Sequence, residues 1–372
     1  MTSIPVNSPQ FDGNEAKYLS EAIESGWISS EGPFVKKFEQ QFSKRHGRKH
    51  AIAVSSGTAA LQCAVNALDL SPGDEVVMPS FTIISCVTPV VEMGATPVLV
   101  DCDPKTFNSS PEQIISAITP RTKAIMLVHI YGLPVDVDPI LAIAKENGIK
   151  VIEDAAEAIG LDYKNRPCGS LGDISTFSFY SNKHITTGEG GMILTDDDDV
   201  ADRCKASRNL CFQESKRFYH ERIGWNFRMT NIQAAIGIAQ LEKLEHTIAR
   251  KREIGLMYNE LLDGCSSLQL PVPETSYAKN VYWVYPVVLH DSCAMNATEA
   301  MSRLEQRQIG ARPFFYPMHK QPVFNKMGFF EKDVHLNSER IAEQGFYIPS
   351  GVGISDEEVQ QVASSLIEIV QR

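Results

Sequence analysis

The feature that most constrains the fold is a regular alternation of short apolar runs and helical patterns between Ala51 and Thr195. Apolar strands that alternate with helices are typical of a mostly parallel sheet covered on both faces, so we predict a large α/β domain on a seven-stranded sheet. The predicted strands are 51–54, 75–78, 97–100, 124–129, 150–153, 175–179 and 192–195. The predicted helices between the earlier strands are 59–68, 111–118 and 139–147.

The rest of the chain predicts a second, smaller domain. Its predicted elements are a long helix at about 231–262, strands at 281–289 and 310–317, and a last helix at 356–370. We therefore predict a large α/β domain over residues 1–245, with its N-terminal segment, and a smaller C-terminal α+β domain over residues 246–372.

The composition argues against several classes of protein. The chain of 372 residues has a net charge of −11, whereas binding to duplex nucleic acid depends on clustered Lys and Arg. The N-terminus has neither the basic nor the apolar segment of a signal peptide. No apolar run reaches the ~18 residues of a membrane span. We therefore expect no nucleic-acid partner and no membrane insertion.

The residues that often bind metals are not arranged as metal sites. The eight cysteines are scattered without a zinc or disulfide spacing, so we expect reduced thiols in a cytoplasmic protein. The acidic run at 196–199 is interpreted as a solvated turn, because adjacent carboxylates on a turn cannot all converge on one ion. We predict no metal site.

Small and polar residues follow the predicted strands at their carboxyl ends, where ligands gather in parallel sheets. Ser56, Gly57 and Thr58 join the first strand to a helix, and a glycine there lets backbone N–H groups approach a phosphate. The alternative is a simple N-cap, because Ser and Thr often open helices. Ser178 and Asn226 are candidate side-chain donors to the same phosphate.

Lys183 and Asp154 together indicate a cofactor site. Lys183 follows a predicted strand and leads into a glycine-rich turn at 188–191, a setting that presents an amine to a bound aldehyde. Asp154 directly follows another strand, and a carboxylate is the partner that a protonated pyridine nitrogen needs. The pair predicts a Schiff-base lysine and the ring anchor of pyridoxal phosphate, with Glu157 placed to bond the ring hydroxyl.

Each of these three residues also has an ordinary interpretation. Asp154 would cap the helix after it, Glu157 would lie on a helix surface, and Lys183 would be a solvated charge. The three residues in combination with the phosphate donors favour catalysis, in which the amine of Lys183 serves as general base and acid.

Several motifs in combination carry a resemblance to a known family. They are Ser56-Gly57-Thr58, Glu153-Asp154-Ala155-Ala156-Glu157, Gly172-Asp173, Ser178 with Asn182-Lys183, Thr187-Gly188-Glu189-Gly190-Gly191, Gly224-Trp225-Asn226-Phe227-Arg228-Met229 and Trp27-Ile28-Ser29-Ser30-Glu31-Gly32. With them the chain resembles the DegT/DnrJ/EryC1/StrS family of sugar aminotransferases over about residues 4–366. The segment Arg312–Pro317 is similar to one in the GDP-perosamine synthases of this family.

The resemblance implies a fold-type I aminotransferase that uses pyridoxal phosphate. It implies covalent attachment of the cofactor to Lys183, with Asp154 at the pyridine nitrogen and Glu157 at the ring hydroxyl. The implied phosphate ligands are Gly57, Thr58 and Ser178, joined by Asn226 from the other subunit of a homodimer with shared active sites. The implied amino donor is L-glutamate, and the acceptor is a keto sugar used in surface polysaccharide such as lipopolysaccharide.

Three departures from the family pattern bear on the ring and the acceptor. Ile83 stands where many relatives have an aromatic residue that stacks on the pyridine ring. His184 and Lys320 stand where the perosamine synthases have uncharged residues, so both are candidate cations near the acceptor. The other candidate acceptor ligands are Arg312, Tyr316 and His319.

These residues leave the acceptor open. It is either a nucleotide-linked 4-keto-6-deoxyhexose or, if His184 and Lys320 bind a carboxylate, an 8-oxo-3,8-dideoxy-manno-octulosonate that becomes an 8-amino sugar acid. One alternative activity is a sugar dehydratase of the same fold, which has histidine in place of the lysine. A non-catalytic regulatory homologue is the other alternative.

Overall fold

A computed structural model of the chain describes residues 3–213 and 216–371. In these ranges the strands, in chain order, are β1 (His50–Val54), β2 (Glu75–Pro79), β3 (Thr96–Val100), β4 (Thr122–Val128), β5 (Lys150–Asp154), β6 (Asp162–Tyr163), β7 (Arg166–Pro167), β8 (Ile174–Ser178), β9 (Gly191–Thr195), β10 (Leu268–Gln269), β11 (Tyr285–Leu289), β12 (Arg312–Pro313) and β13 (Gly345–Ile348).

The helices of the same ranges flank these strands. In chain order they are α1 (Glu15–Glu24), α2 (Pro33–His46), α3 (Gly57–Asn66), α4 (Thr88–Glu92), α5 (Pro111–Ser116), α6 (Asp138–Asn147), α7 (Asp198–Arg208), α8 (Asn231–Glu242), α9 (Leu244–Leu262), α10 (Ala297–Gln306), α11 (Pro322–Lys326), α12 (Leu336–Gln344) and α13 (Asp356–Val370). Short 3-10 turns lie at Ile84–Cys86 and Met318–Lys320.

The large sheet confirms the predicted fold class. Its strand order is β1-β9-β8-β5-β4-β2-β3, and the seven predicted strands all lie in it with bounds that differ by one or two residues. The pairs among β8, β5, β4, β2 and β3 are parallel, whereas β9 is antiparallel to both β8 and β1. The sheet is therefore mostly parallel, and its parallel strands end together at one edge.

Local sequence signals set where the helices begin. Ser110, Thr230 and Ser355 each form a capping box with a Gln or Glu three residues on, which satisfies backbone N–H groups at the helix N-terminus. The acidic run at 196–199 is only partly the predicted turn, since the side chain of Asp197 caps α7. Its carboxylate accepts hydrogen bonds from the N–H groups of Asp199 and Val200.

A four-stranded antiparallel sheet, β10-β11-β13-β12, occupies the C-terminal part of the described chain. The predicted strand at 310–317 is wrong over most of its length, because only Arg312 and Pro313 pair with β13. Pro313 and Pro317 cannot donate to a ladder, which limits pairing here. The long predicted helix is broken at Lys243 into α8 and α9. The division of the chain at residue 245 stays a prediction.

The two sheets are joined by shared packing. Met126 and Ile152 of the large sheet belong to the same buried apolar cluster as Trp283, Val288 and Phe314 from the C-terminal part. No helix of the described ranges is both long enough and apolar enough to cross a membrane. The cytoplasmic location stays a prediction from the sequence.

Candidate active site

A cavity of about 350 Å³ opens at the carboxyl edge of the parallel strands. Among its lining residues are six that the sequence analysis assigned to a cofactor: Gly57, Thr58, Asp154, Glu157, Ser178 and Lys183. Strands β5 and β8 and the N-terminus of α3 bring these residues together, although they are spread over more than a third of the chain.

One end of the cavity is the N-terminus of α3. Ser56 caps the helix, and its hydroxyl accepts a hydrogen bond of 3.0 Å from the N–H of Ala59. A methyl group at Gly57 would lie 2.8 Å from Cβ of Ser178, so only glycine fits between the helix and β8. The hydroxyls of Thr58 and Ser85 are 2.9 Å apart. The capping interpretation is therefore correct, and the same helix start still presents N–H groups to an anion.

Asp154 lies at the other end of the cavity, where β5 ends. Its carboxylate is 3% exposed and accepts hydrogen bonds from the N–H of Ala156 at 3.0 Å and the thiol of Cys86 at 3.4 Å. Burial raises the pKa of Asp154. In the described chain no helix begins between β5 and β6, so the interpretation of Asp154 as a helix cap is wrong.

Glu157 and Lys183 form a nearly buried pair beside Asp154, with side chains 7% and 10% exposed. Oε2 of Glu157 accepts a hydrogen bond of 2.8 Å from the N–H of Tyr131, and Oε1 lies 3.8 Å from Nζ of Lys183. Burial raises the pKa of Glu157 to about 7 and lowers the pKa of Lys183. The surface interpretations of both residues are therefore wrong. Their environment reduces the charge on each group, which suits proton transfer near neutral pH.

Aromatic and apolar side chains, most of them not anticipated from the sequence, complete the cavity wall. Nζ of Lys183 lies 3.7 Å from the ring centroid of Trp283, and Phe315 and Tyr347 also line the cavity. Ile83, the expected ring-packing residue, lines it as well and is 44% exposed. Trp283 lies 100 residues after Lys183, and no local pattern in the sequence announces the contact.

His184 is not among the residues that line this cavity, and its assignment to the acceptor stays a prediction. Its Nδ1 donates a hydrogen bond of 2.9 Å to the carbonyl of Ile159. Burial, reinforced by the nearby charge of Lys251, lowers the pKa of His184 to about 3. The imidazole is therefore neutral, because a buried ring without an acidic partner cannot retain a second proton.

The other candidate acceptor ligands lie outside the lining of the cavity. Nδ1 of His319 is 2.7 Å from the hydroxyl of Ser80, and its Nε2 is 2.9 Å from Glu339. Nζ of Lys320 lies 3.2 Å from the same carboxylate. His319 is buried, whereas Lys320 is exposed. The charge of Lys320 is thus already paired within the chain.

Three further candidates are exposed on this chain. Arg312 and Tyr316 face solvent, with Tyr316 57% exposed. Asn226 is exposed too, and its side-chain oxygen accepts a hydrogen bond of 3.1 Å from Nε of Arg228. None of the three lines the cavity of its own chain.

A buried cluster of His129, Glu153 and Cys168 lies beside the cavity, which His129 also lines, and its potential metal-ligating atoms are within 4.8 Å of one another. The carboxylate of Glu153 already accepts hydrogen bonds from His129, the hydroxyl of Ser175 and three backbone N–H groups. Burial raises its pKa, but these donors outweigh burial and lower it to about 2. The cluster is therefore a structural hydrogen-bond network.

Comparison with known proteins places this geometry in a family. The sequence matches the DegT/DnrJ/EryC1/StrS aminotransferase family over residues 9–367. It is 42% identical to the GDP-perosamine synthase of Caulobacter vibrioides over 99% of this chain and 98% of that protein. It is 40% identical to the GDP-perosamine synthase of Escherichia coli O157:H7 over 99% of both chains. The crystal structure of the aminotransferase TlmJ from Streptoalloteichus hindustanus superposes with a TM-score of 0.92 at 29% identity, over 99% of each chain.

Proposed function

The chain belongs to the DegT/DnrJ/EryC1/StrS aminotransferase family, and from this premise we propose that it moves the amino group of L-glutamate to a nucleotide-linked 4-keto-6-deoxyhexose. It is a pyridoxal phosphate-dependent sugar aminotransferase of the GDP-perosamine synthase-like type. The observation that carries the site assignment is the joint burial of Asp154, Glu157 and Lys183 opposite a helix N-terminus.

The residues at the cavity fit pyridoxal phosphate. The space between α3 and Ser178 is kept open by Gly57, where a Cβ would fill it, and the helix start offers N–H groups to a phosphate. We assign phosphate binding to Gly57, Thr58 and Ser178. Asp154 would pair with the pyridine nitrogen and Glu157 with the ring hydroxyl. When bound, the cofactor supplies an electron sink for the carbon that loses its proton.

Lys183 would carry the proton in both half-reactions. Burial lowers the pKa of its amine, so a larger share of the free amine is neutral and able to accept a proton at Nζ. Glu157 can hold a proton at its carboxyl, because burial raises its pKa to about 7. Ala156 and Cys86 donate to Asp154 and fix the direction of its carboxylate. In this assignment Lys183 moves the proton, whereas Asp154 and Glu157 would hold the cofactor ring.

The assignment of Asn226 requires a dimer with shared active sites. This residue does not line the cavity of its own chain, so it would reach the phosphate only from a second subunit. Ile83, Ile84 and Tyr180, at or beside the cavity, are 39–48% exposed, which suits a mouth covered by a partner. A mixed dimer of Lys183→Ala and Asn226→Ala chains should form a single intact site. Activity regained on mixing two weakened variants would support sharing, and no regain would contradict it.

The acceptor is proposed to carry a nucleotide because the argument for a sugar acid is weak. That argument depended on cations from His184 and Lys320. The imidazole of His184 is neutral and outside the cavity lining, and Lys320 is paired with Glu339. The relatives described above are named for a GDP-linked sugar. We therefore favour a GDP-linked acceptor used to make amino sugars for surface polysaccharide.

The alternative activities are less well supported. A dehydratase of this fold has histidine at the lysine position, and here Lys183 lines the cavity whereas its neighbour His184 does not. A regulatory homologue would not need three buried ionisable groups around one cavity. A yellow solution that borohydride bleaches would distinguish an enzyme from a non-catalytic protein.

The decisive experiment is transfer from ¹⁵N-glutamate to a panel of keto sugars, half nucleotide-linked and half free sugar acids. We expect label in a nucleotide-linked 4-keto-6-deoxyhexose and competitive inhibition by GDP, tested beside dTDP. The matched variant is Lys320→Ala, which should leave the sugar half-reaction nearly unchanged. Transfer only to the sugar acids, slowed in Lys320→Ala, would overturn the proposal. The lost carboxylate contact would then cost about 1.5–3 kcal/mol.

A further inference from the structure

We propose that Trp283 is a positioning residue for Lys183, and that its ring face stabilises the protonated form of the free amine inside the cavity. This inference rests on the proposed role of Lys183 as the cofactor-binding amine, but not on the identity of the acceptor. It assigns a task to a side chain that lies 100 residues away in the sequence.

The contact between the two side chains has the geometry of a cation–π interaction. Nζ of Lys183 lies 3.7 Å from the ring centroid of Trp283, well inside the ~6 Å limit for such contacts. Tryptophan is the strongest aromatic partner for a cation, and this one is 5% exposed, so water screens the interaction little. The distance of 3.8 Å from Nζ to Glu157 is too long for a direct hydrogen bond.

The indole is held in place at its edge and its face. Its Nε1–H donates a hydrogen bond of 3.0 Å to the carbonyl of Asn182, the residue directly before Lys183. The ring also stacks on Tyr131, with centroids 6.0 Å apart and planes inclined by 28°. One side chain therefore fixes the backbone before the lysine and offers a surface to the end of its side chain. The two contacts together restrict where Nζ can lie.

The charges around Nζ define what the ring adds. Glu157 and Asp154 raise the pKa of Lys183, while burial lowers it more strongly. His184 beside it is neutral, and the hydroxyls of Tyr131 and Tyr347 lie near Glu157 with pKa values raised by burial. The electron-rich face of Trp283 favours the ammonium form and so opposes burial. Without it the free amine would lose its proton at a lower pH.

The test measures the pKa of Lys183 directly, by pH-dependent reductive methylation of the full-length chain freed of cofactor and mapped by mass spectrometry. Trp283→Leu removes both the ring face and the Nε1 donor, whereas Trp283→Phe retains a ring face. We expect Trp283→Leu to lower the pKa by about 0.4–1.5 units, from the strength of such contacts and the free energy per pKa unit. Trp283→Phe should lower it by clearly less.

Control measurements separate the ring face from other effects. Phe315→Leu removes another aromatic side chain from the same cavity and should leave the pKa of Lys183 unchanged. Hydrogen exchange of the segment 181–187 should rise in both Trp283 variants, because both lose the bond to Asn182. An unchanged pKa in Trp283→Leu, an equal shift in Trp283→Phe, or an equal shift in Phe315→Leu would each overturn the proposal.

One further measurement keeps this inference separate from the proposed function. Borohydride reduction of the wild-type holoenzyme, followed by peptide mapping, identifies the lysine that carries the cofactor. If that lysine is not Lys183, the proposed function loses its central residue whatever Trp283 does. If it is Lys183 and the pKa does not respond to Trp283, only the role of the indole is wrong.

Discussion

At the Gly57 end of the cavity, a helix start and partly exposed hydroxyls form the wall, whereas at the Lys183 end three ionisable side chains lie close together and largely buried. The first end is built by a helix start packed closely against β8. The second is built by removing Asp154, Glu157 and Lys183 from water. At the Gly57 end, the shape of the wall determines what fits. At the Lys183 end, desolvation determines the protonation of the side chains.

This difference predicts two kinds of response to substitution. Changing a buried charge alters the protonation of its neighbours, because charges interact strongly where the effective dielectric constant is low. Changing a backbone-lined surface alters only the fit, since dipoles of the helix start remain in place. Variants at the Lys183 end should therefore lower the catalytic rate, and variants at the Gly57 end should weaken the binding of the cofactor.

The largest effect is expected from Lys183→Ala. Transamination should fall to the rate measured without enzyme, because the variant lacks the amine that accepts the proton. The oligomeric state should be unchanged, since the lost group serves chemistry rather than packing. Steady-state assays with labelled glutamate and size-exclusion chromatography test both points. A rate near that of the wild type would remove Lys183 from the mechanism.

The next largest effect is expected from Asp154→Asn, which keeps the shape and removes the charge. The cofactor should still bind, but the rate should fall roughly 10- to 150-fold, equivalent to one charge-assisted hydrogen bond of about 1.5–3 kcal/mol. Single-turnover rates beside spectroscopic titration of the cofactor separate chemistry from binding. A rate within about threefold of the wild type, on the order of 0.6 kcal/mol, would show that the carboxylate has no electronic role.

A pH-dependent effect on stability is expected from Glu157→Gln. Burial raises the pKa of Glu157 from 4.5 to about 7, so the stability that this carboxyl contributes is present below pH 4.5 and is lost as the pH rises through 7. The variant cannot titrate there. Relative to the wild type, its free energy of unfolding should rise as the pH increases from 4.5 to 8 in the cofactor-free protein.

Urea unfolding at both pH values measures this difference. The matched control is Glu189→Gln, which removes an exposed carboxyl at the same cavity. If the difference in free energy of unfolding between Glu157→Gln and the wild type instead stays constant with pH, desolvation does not set the protonation of Glu157. The contrast between the two ends of the cavity would then fail.

The smallest effect is expected from Gly57→Ala at the other end. The added methyl group would lie 2.8 Å from Cβ of Ser178, and such overpacking costs about 1–3 kcal/mol. We expect weaker cofactor binding with little change in the rate of the saturated enzyme. Ser56→Ala is the control, since it costs about 1 kcal/mol of helix capping without adding an atom to the cavity. Unchanged cofactor affinity in Gly57→Ala would argue against phosphate binding at this helix start.

Local patterns predicted the large sheet well and the C-terminal part poorly. The runs at 150–153 and 175–179 stand where the alternation of strands and helices calls for a strand, so that alternation identified β5 and β8. The segment at 310–317 was predicted as a single strand, but it contains two prolines and forms only a two-residue strand. Propensity there is overruled by contacts with distant parts of the chain.

The same limit applies to the candidate site. Gly57, Asp154 and Lys183 stand at strand ends, where position in the sequence already places them near one edge of the sheet. Trp283 could not be found in this way, because its contact with Lys183 depends on how the C-terminal part packs against the sheet. For His184, the sequence shows a titratable side chain but not the burial that lowers its pKa.

The position of β1 at the edge of the large sheet has a consequence for synthesis on the ribosome. Its partner in that sheet is β9, and Val54 pairs with Gly191, so the strand emerges long before its neighbour does. At ~5–20 residues per second, the roughly 140 intervening residues take about 7–30 s to translate. For most of that interval, until Ile174–Ser178 has been translated, the helix start at Gly57 has no β8 beside it. A nascent chain stalled before Ser178 should therefore not retain cofactor, however much of its N-terminal part has collapsed.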